Sequence, residues 1–169
     1  MPGKAEIMLC NRAVVSAAFS FVIICAGSAR ADAPAIRPLA GAVIVTRTTP
    51  AEAALLWDAT SYVTQLVNEQ ITDERGMRAI EATALRALAE KGKGLAAPAL
   101  TLKVTYAKTG AVSPVYKSVT FAGFEPVVTI SAKRTALEQH ADAWSAQLAN
   151  GTIPKGVRVS VTGKLPPVQ

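Results

Sequence analysis

The stretch from Thr49 to Lys91 constrains the fold most, because it is the longest run of helical periodicity in the chain. It opens with Thr49-Pro50-Ala51-Glu52, where a hydroxyl, a proline and a carboxylate take the spacing of a helix-capping box. It closes with Lys91-Gly92, a cation followed by a glycine suited to a left-handed helix cap. The pattern predicts that this stretch is helical and that the rest of the domain folds against it.

Apolar residues recur at helical spacing in two runs, Leu55, Ala59, Tyr62 and Leu66, then Met77, Ile80, Ala84 and Leu88. Between the runs the pattern stops at residues 72–76, where Thr72 or Asp73 can cap a second helix. One helix of roughly forty residues would be about 60 Å long, too long for a small domain. Two helices meeting at residues 72–76 are therefore expected, with one kinked helix as the alternative.

Strand patterns flank this helical stretch. Residues 39–48 are β-branched and continuous at their centre, which predicts a strand buried on both faces. Residues 100–106 alternate strictly, with Leu100, Leu102, Val104 and Tyr106 on the apolar face. Residues 157–162 alternate in the same way, and their apolar face is Val157, Val159 and Val161.

The segment between these two alternations is also rich in β-formers. Lys108-Thr109-Gly110 predicts a turn, and β-rich runs follow at residues 115–121 and 127–131. Gly123 to Pro126 lies between those runs, so they form either two strands or one strand bent at this point. A second capping box at Thr135-Ala136-Leu137-Glu138 then predicts a short helix that ends at Asn150-Gly151.

The order of these patterns predicts an α+β fold. The expected architecture is a mostly antiparallel sheet with helices on one face, a ferredoxin-like or related β-α-β-β-α-β sandwich. A single domain is expected over residues 39–165, after an extended segment at 32–38 and before a tail at 166–169.

The first 31 residues carry the pattern of a secretory signal peptide. Lys4 and Arg12 precede an apolar run of about 15 residues, and Ala29-Arg30-Ala31 is a small-x-small cleavage site. The run is shorter than the roughly 20 residues that span a bilayer. We therefore expect cleavage after Ala31 and a periplasmic or extracellular protein, with lipid anchoring at Cys25 as an alternative.

Removal of the signal peptide changes the composition. The whole chain has 18 Lys and Arg against 12 Asp and Glu, and the part after Ala31 keeps 15 and 11 of these, a net charge of +4. Both cysteines, Cys10 and Cys25, lie in the removed segment, which excludes disulfides and thiolate metal sites from the exported part. Because aromatic residues make up only 5% of the chain, nucleic-acid binding is not expected.

Few residues suggest a site. If the polar face of the sheet is open, Lys103, Thr105 and Arg158 lie on it and offer a shallow positive surface to an anionic glycan or lipid headgroup. Phe124 and Glu125, between two β-rich runs, form a candidate recognition tip, with a strand crossover whose Phe124 packs back onto the core as the alternative. For the cations, the alternative is a solubilising face with lysines that protect strand edges.

The sequence offers little for catalysis. His140 is the only histidine, and general acid–base work would require Glu125 or Asp142 to be brought to it. No metal site or cofactor motif is present in the sequence, and an enzyme is not expected.

Three hypotheses follow. The first is a small exported cell-envelope protein that binds a protein partner or an anionic envelope component without catalysis. The second is a periplasmic hydrolase or lyase that uses His140 with a carboxylate. The third is a structural subunit that dimerises by pairing an edge strand, at residues 100–106 or 157–162.

Overall fold

The computed structural model describes the backbone of residues 39–112 and 119–167, and the side chains of residues 39–108 and 123–167. The expected signal peptide, the extended segment and most of the β-rich run at 115–121 lie outside these residues. Within them the elements are, in chain order, β1 (Val43–Thr48), β2 (Glu52–Asp58), α1 (Thr60–Asn68), α2 (Glu74–Gly92), β3 (Ala99–Val112), β4 (Val119–Lys133), α3 (Arg134–Ala149) and β5 (Val157–Val161).

The strands form one five-stranded sheet in the order β1-β2-β3-β4-β5. The β2–β3 pair is parallel, and the pairs β1–β2, β3–β4 and β4–β5 are antiparallel. The α+β class and the mostly antiparallel sheet are therefore as expected. The order differs from the split arrangement of a ferredoxin-like sandwich, because β2 and β3 pair directly with no strand between them.

The helices pack on one face of the sheet. On that face, alternate residues of the central strands are buried, including Leu55, Trp57, Leu100, Leu102, Val104, Val128 and Ile130. Trp57 makes an edge-to-face contact with Tyr62 of α1, with ring centroids 5.4 Å apart. The Trp57 indole N–H also donates a hydrogen bond to the carbonyl oxygen of Ala40 at 3.0 Å. One tryptophan thus joins the residues before β1 to β2 and α1.

Residues 49–58 are not helical, and this is the largest difference between the sequence prediction and the structure. The Thr49 hydroxyl accepts a hydrogen bond from the Glu52 amide at 3.0 Å and donates one to the Glu52 carbonyl at 2.9 Å. The predicted capping box is therefore the turn between β1 and β2. Ala53, Leu55 and Trp57 are each at most 2% exposed, the alternate burial of a strand. The step of four from Leu55 to Ala59 matched a helix only by coincidence.

The prediction of two helices is confirmed, but the break between them lies at residues 69–73, a few residues earlier than the predicted 72–76. The chain has two helices here, α1 and α2, and Asp73 caps the second by accepting a hydrogen bond from the Arg75 amide at 3.0 Å. The predicted left-handed cap at Gly92 is wrong, since α2 runs through Gly92 to a right-handed Lys93. Glycine at position 92 allows Leu100 to pack closely against the helix: a Cβ there would lie 2.2 Å from Leu100 Cδ1.

Two further predictions of chain reversal or capping are wrong. Lys108-Thr109-Gly110 continues β3 instead of turning, so β3 and β4 pair beyond the ends of β2 and β5 as a two-stranded arm. Thr135 does not cap α3, because that helix begins one residue earlier, after Lys133. Arg134 then forms an ion pair with Glu138 at 2.6 Å. The segment from Gly123 to Pro126 lies within one continuous strand, β4, so the single bent strand is the correct alternative.

The burial of three strands also differs from expectation. β1 is an edge strand, and it is exposed from Ile44 onward instead of being buried on both faces. β3 is central, so residues 100–106 offer no free edge, whereas β5 is an edge. The alternation in residues 100–106 is confirmed for the apolar face. The apolar alternation of β5 is only partly buried, since Val161 is 56% exposed.

Candidate binding surface

The face of the sheet opposite the helices is polar, and no described helix covers it. The register places on it the alternate residues of four neighbouring strands: Glu52, Ala54, Leu56 and Asp58 of β2; Thr101, Lys103 and Thr105 of β3; Thr129, Ser131 and Lys133 of β4; and Arg158 and Ser160 of β5. We call this the open face. Its residues are half-buried or exposed apart from Thr105, because only neighbouring side chains shield them.

Three cations define the charge of the open face. Lys103, Lys133 and Arg158 are exposed. Among the described residues none of the three takes part in an ion pair or a side-chain hydrogen bond. Arg158 pairs with Ser131, which lies two residues before Lys133 along β4. Lys103 lies two strands from β5, roughly 10 Å across the sheet at about 4.8 Å per strand.

A hydroxyl network lies between these cations. The Thr101 hydroxyl donates a hydrogen bond to Glu52 Oε1 at 2.8 Å and lies 3.0 Å from the Ser131 hydroxyl. Arg47 lies 3.9 Å from the other oxygen of the Glu52 carboxylate. Because Arg47 and Thr101 both interact with Glu52, its negative charge is offset within the fold. The Asp58 carboxylate, at the end of β2, accepts hydrogen bonds from the Thr60 amide and hydroxyl. The charges of the open face that have no partner among the described residues are therefore the positive ones.

The predicted site residues are only partly brought together. Lys103 and Arg158 share the open face, and the register places Phe124, 59% exposed, on the same side where β4 enters the arm. Thr105 is unsuitable as a surface contact because it is only 5% exposed. Its hydroxyl lies 3.5 Å from the Trp57 carbonyl oxygen, which it faces as a donor.

Glu125 lies on the helix side of the sheet, away from the open face. It forms an ion pair with Lys108 at 3.2 Å and is the register partner of Tyr106. Burial raises the pKa of the Tyr106 phenol above its ordinary value of 10.0, the charge of Glu125 raises it further, and Lys108 opposes both. The protonated phenol faces the Lys164 carbonyl oxygen at 3.5 Å, which helps to hold the segment after β5.

Sequence reasoning placed Lys133, Ser131 and Thr129 among β-rich residues but did not include them in the site. The sequence did contain a pattern that could have identified them, because Thr129, Ser131 and Lys133 alternate along residues 127–133 as Thr101 and Lys103 do along β3. What was missing was the pairing of β4 between β3 and β5, which puts these side chains beside Lys103 and Arg158.

His140 lies elsewhere, exposed on α3. Its ring centroid is 5.4 Å from that of Trp144, and within the described part of the chain the imidazole makes no hydrogen bond. Asp142 is engaged with Arg86 at 2.9 Å. Glu125 lies at the base of the arm, so the geometry does not assemble it with His140.

In residues 39–112 and 119–167, no group of three or more His, Cys, Asp or Glu side chains is placed to hold a metal ion. Over the same residues, none of the helices combines the length and the apolar character that crossing a membrane requires.

Comparison of the chain with protein-family models, with curated proteins and with solved structures gave no significant match.

Proposed function

We propose that this protein is exported and binds an anionic component of the cell envelope, without catalysis, on the open face. The observation that carries the proposal is the set of three exposed cations, Lys103, Lys133 and Arg158, with no acidic partner among the described residues. The export step rests on the signal-peptide pattern of residues 1–31.

The spacing of the cations favours a polymeric anion, because they are spread over three strands and cannot converge on one small group. The hydroxyls of Thr101, Ser131, Thr129 and Ser160 provide both donors and acceptors, which suits the hydroxyls of sugars. An acidic polysaccharide therefore fits the surface best. Phe124, on the same side, offers an apolar contact for a sugar ring.

The test is retention of the purified exported protein on immobilised acidic polysaccharide and on neutral dextran. We expect retention on the acidic matrix alone, with release as salt shortens the Debye length to about 3 Å at 1 M. The double substitution Lys103→Glu with Arg158→Glu should abolish retention. The matched control, Lys91→Glu with Lys93→Glu, makes the same change of charge on exposed residues at the end of α2 and should leave retention intact.

The outcomes separate the possible sources of the negative charge. Equal loss in both double variants would mean that net charge alone drives binding, and it would overturn the proposal. Retention on vesicles of phosphatidylglycerol, but not on polysaccharide, would assign the face to lipid headgroups instead.

Export is tested independently of binding. We expect the mature protein in the envelope or medium to begin at Asp32, as read by intact-mass spectrometry. Ala29→Arg with Ala31→Arg should block processing, because the cleavage site requires small residues. A protein that keeps Met1 and remains in the cytoplasm would contradict export.

A second candidate function is self-association through an edge strand, and the exposure of β1 favours it. Ile44 is 54% and Val45 is 47% exposed, on opposite faces of the strand. No described strand pairs with the outer edge of β1. An exposed edge with apolar residues is a template for pairing with a second chain.

A further inference from the structure

A groove of about 840 Å³ lies on the helix side of the sheet, next to the β5 edge. The start of α2, the end of α3 with the loop that follows it, and the segment after β5 form its walls. None of the residues that define the open face lines the groove, although Ile153 borders both surfaces. Its volume falls within the roughly 300–1,000 Å³ typical of small-molecule sites.

The walls of the groove are mainly apolar. They are built by Met77, Leu148, Ile153, Val161 and Leu165. Leu148 and Leu165 are buried at its base, whereas Ile153 is 59% and Val161 is 56% exposed. Two of the five large exposed apolar side chains of the described residues therefore line this one groove.

Most charges at the groove are neutralised within the fold. Asp73 forms an ion pair with Arg75 at 2.9 Å, and Glu74 forms one with Arg78 at 3.0 Å. The Arg78 guanidinium also packs against Gly151, since a Cβ at Gly151 would lie 2.9 Å from Arg78 Cζ. Arg78 is thus held by Glu74 and by packing.

Glu81 is the exception among the acidic residues of the groove. It is half-buried in the groove wall, and among the described residues its carboxylate has no hydrogen bond or ion pair. Lys164 also lines the groove but does not pair with it. Burial raises the pKa of the Glu81 carboxyl above its ordinary value of 4.5, and Arg78 only partly opposes this.

We infer that this groove is a second binding site, for a small amphiphile that carries one cationic nitrogen on an apolar body. The ammonium or guanidinium group donates to the unpartnered carboxylate of Glu81 and replaces the water that burial removes. The apolar body lies between Met77, Ile153 and Val161 and covers their exposed surface. An anionic amphiphile is disfavoured, because it would place a second negative charge beside Glu81.

The test uses three probes with the same six-carbon chain: hexylammonium, 1-hexanol and hexanoate. Binding of each to the mature exported protein is followed by backbone amide chemical shifts of residues 148–153 and 161–165. We expect hexylammonium to bind about tenfold more tightly than 1-hexanol, the effect of one charge-assisted hydrogen bond. Hexanoate should bind more weakly than either.

Variants separate the head group from the apolar body. Glu81→Gln should make hexylammonium no tighter than 1-hexanol, whereas Glu90→Gln, an exposed carboxylate on the same helix, should preserve the difference. Ile153→Ser should weaken hexylammonium and 1-hexanol alike. Equal affinity of the three probes for the unmodified protein, or shifts confined to residues outside the groove, would overturn the inference.

Discussion

Trp57 shows how much of this fold depends on one side chain. It is fully buried, contacts Tyr62 of α1, and donates its indole N–H to the Ala40 carbonyl oxygen. We expect Trp57→Ala to lower the free energy of unfolding by about 3–5 kcal/mol, from the lost burial and the cavity. Urea unfolding followed by circular dichroism measures it. Trp144→Ala removes a half-buried indole and should cost clearly less; equal losses would contradict this ranking.

Glu81 affects stability through pH. Its carboxyl has a raised pKa in the folded state, so the folded chain binds its proton more tightly than the unfolded chain does. The resulting stabilisation is complete below the unfolded pKa and is lost as pH rises through the folded pKa. Glu81→Gln should therefore raise stability at pH 7 by roughly 0.5 kcal/mol, a small effect because the side chain is partly solvated.

The same substitution should have a smaller effect at pH 4, where the wild-type carboxyl is largely protonated. Thermal unfolding at both pH values gives the comparison. A gain that is equal at pH 4 and pH 7 would show that the charge of Glu81 is not responsible.

At the scale of elements, α2 is held by close contacts at its two glycines. Gly92 allows Leu100 to approach the helix, and Gly76 allows the first turn to approach Ile71 and Leu165. A Cβ at Gly76 would lie 2.2 Å from the Ile71 carbonyl oxygen and 2.9 Å from Leu165 Cδ1. Helix propensity and packing therefore act in opposite directions at this position.

Gly76→Ala tests which of them prevails. In an open helix the change would stabilise by about 1 kcal/mol, but here backbone must move, and we expect a net loss of about 1–3 kcal/mol. Gly94→Ala is the matched control, since no atom lies within 4 Å of its Cβ position. Denaturant unfolding measures both. A stabilised Gly76→Ala variant would mean that the start of α2 is free to shift.

At the scale of the whole molecule, the sheet has two different edges. β1 offers Ile44 and Val45, whereas β5 offers Val161 beside the groove. Two copies paired antiparallel with Val45 opposite Val45 would place Arg47 of each chain opposite Val43 of the other, so this register is compatible in charge.

We expect a concentration-dependent dimer in light scattering after size exclusion, and we expect Val45→Glu to abolish it by placing a charge in the interface. Val161→Glu makes the same change on a similarly exposed residue of the other edge and should leave the dimer intact. Loss of the dimer only in Val161→Glu would assign pairing to β5. A monomer at all concentrations up to about 1 mM would exclude association through either edge, because a Kd of about 1 mM corresponds to a binding free energy of only about −4.1 kcal/mol.

Local patterns were reliable where one residue or one period decides the outcome. Asp73 caps α2 through its own side chain, so the break between the helices could be predicted. The buried alternation of Leu100, Leu102 and Val104 is likewise confirmed. The same logic failed at Thr49, because a hydroxyl three residues before a carboxylate fits a turn as well as a helix cap.

The candidate site was predictable in part for a related reason. Lys103 and Arg158 stand on polar sides of alternating strands, which the sequence displays directly. Thr105 stands on the same side of β3 as Lys103 and is nevertheless buried. Whether a strand residue is buried depends on which neighbouring strand or connection covers it. The alternation of polar and apolar residues along one strand does not contain that information.

The sequence by itself determined which side chains of β3 and α3 face inward, since alternation and helical spacing act within a few residues. Tertiary structure alone decided that residues 52–58 are a strand, because their apolar residues fit either period until pairing with β3 satisfied their backbone groups. It also decided that β1 is an edge and that β4 lies between β3 and β5. The open face and the groove exist only through that order.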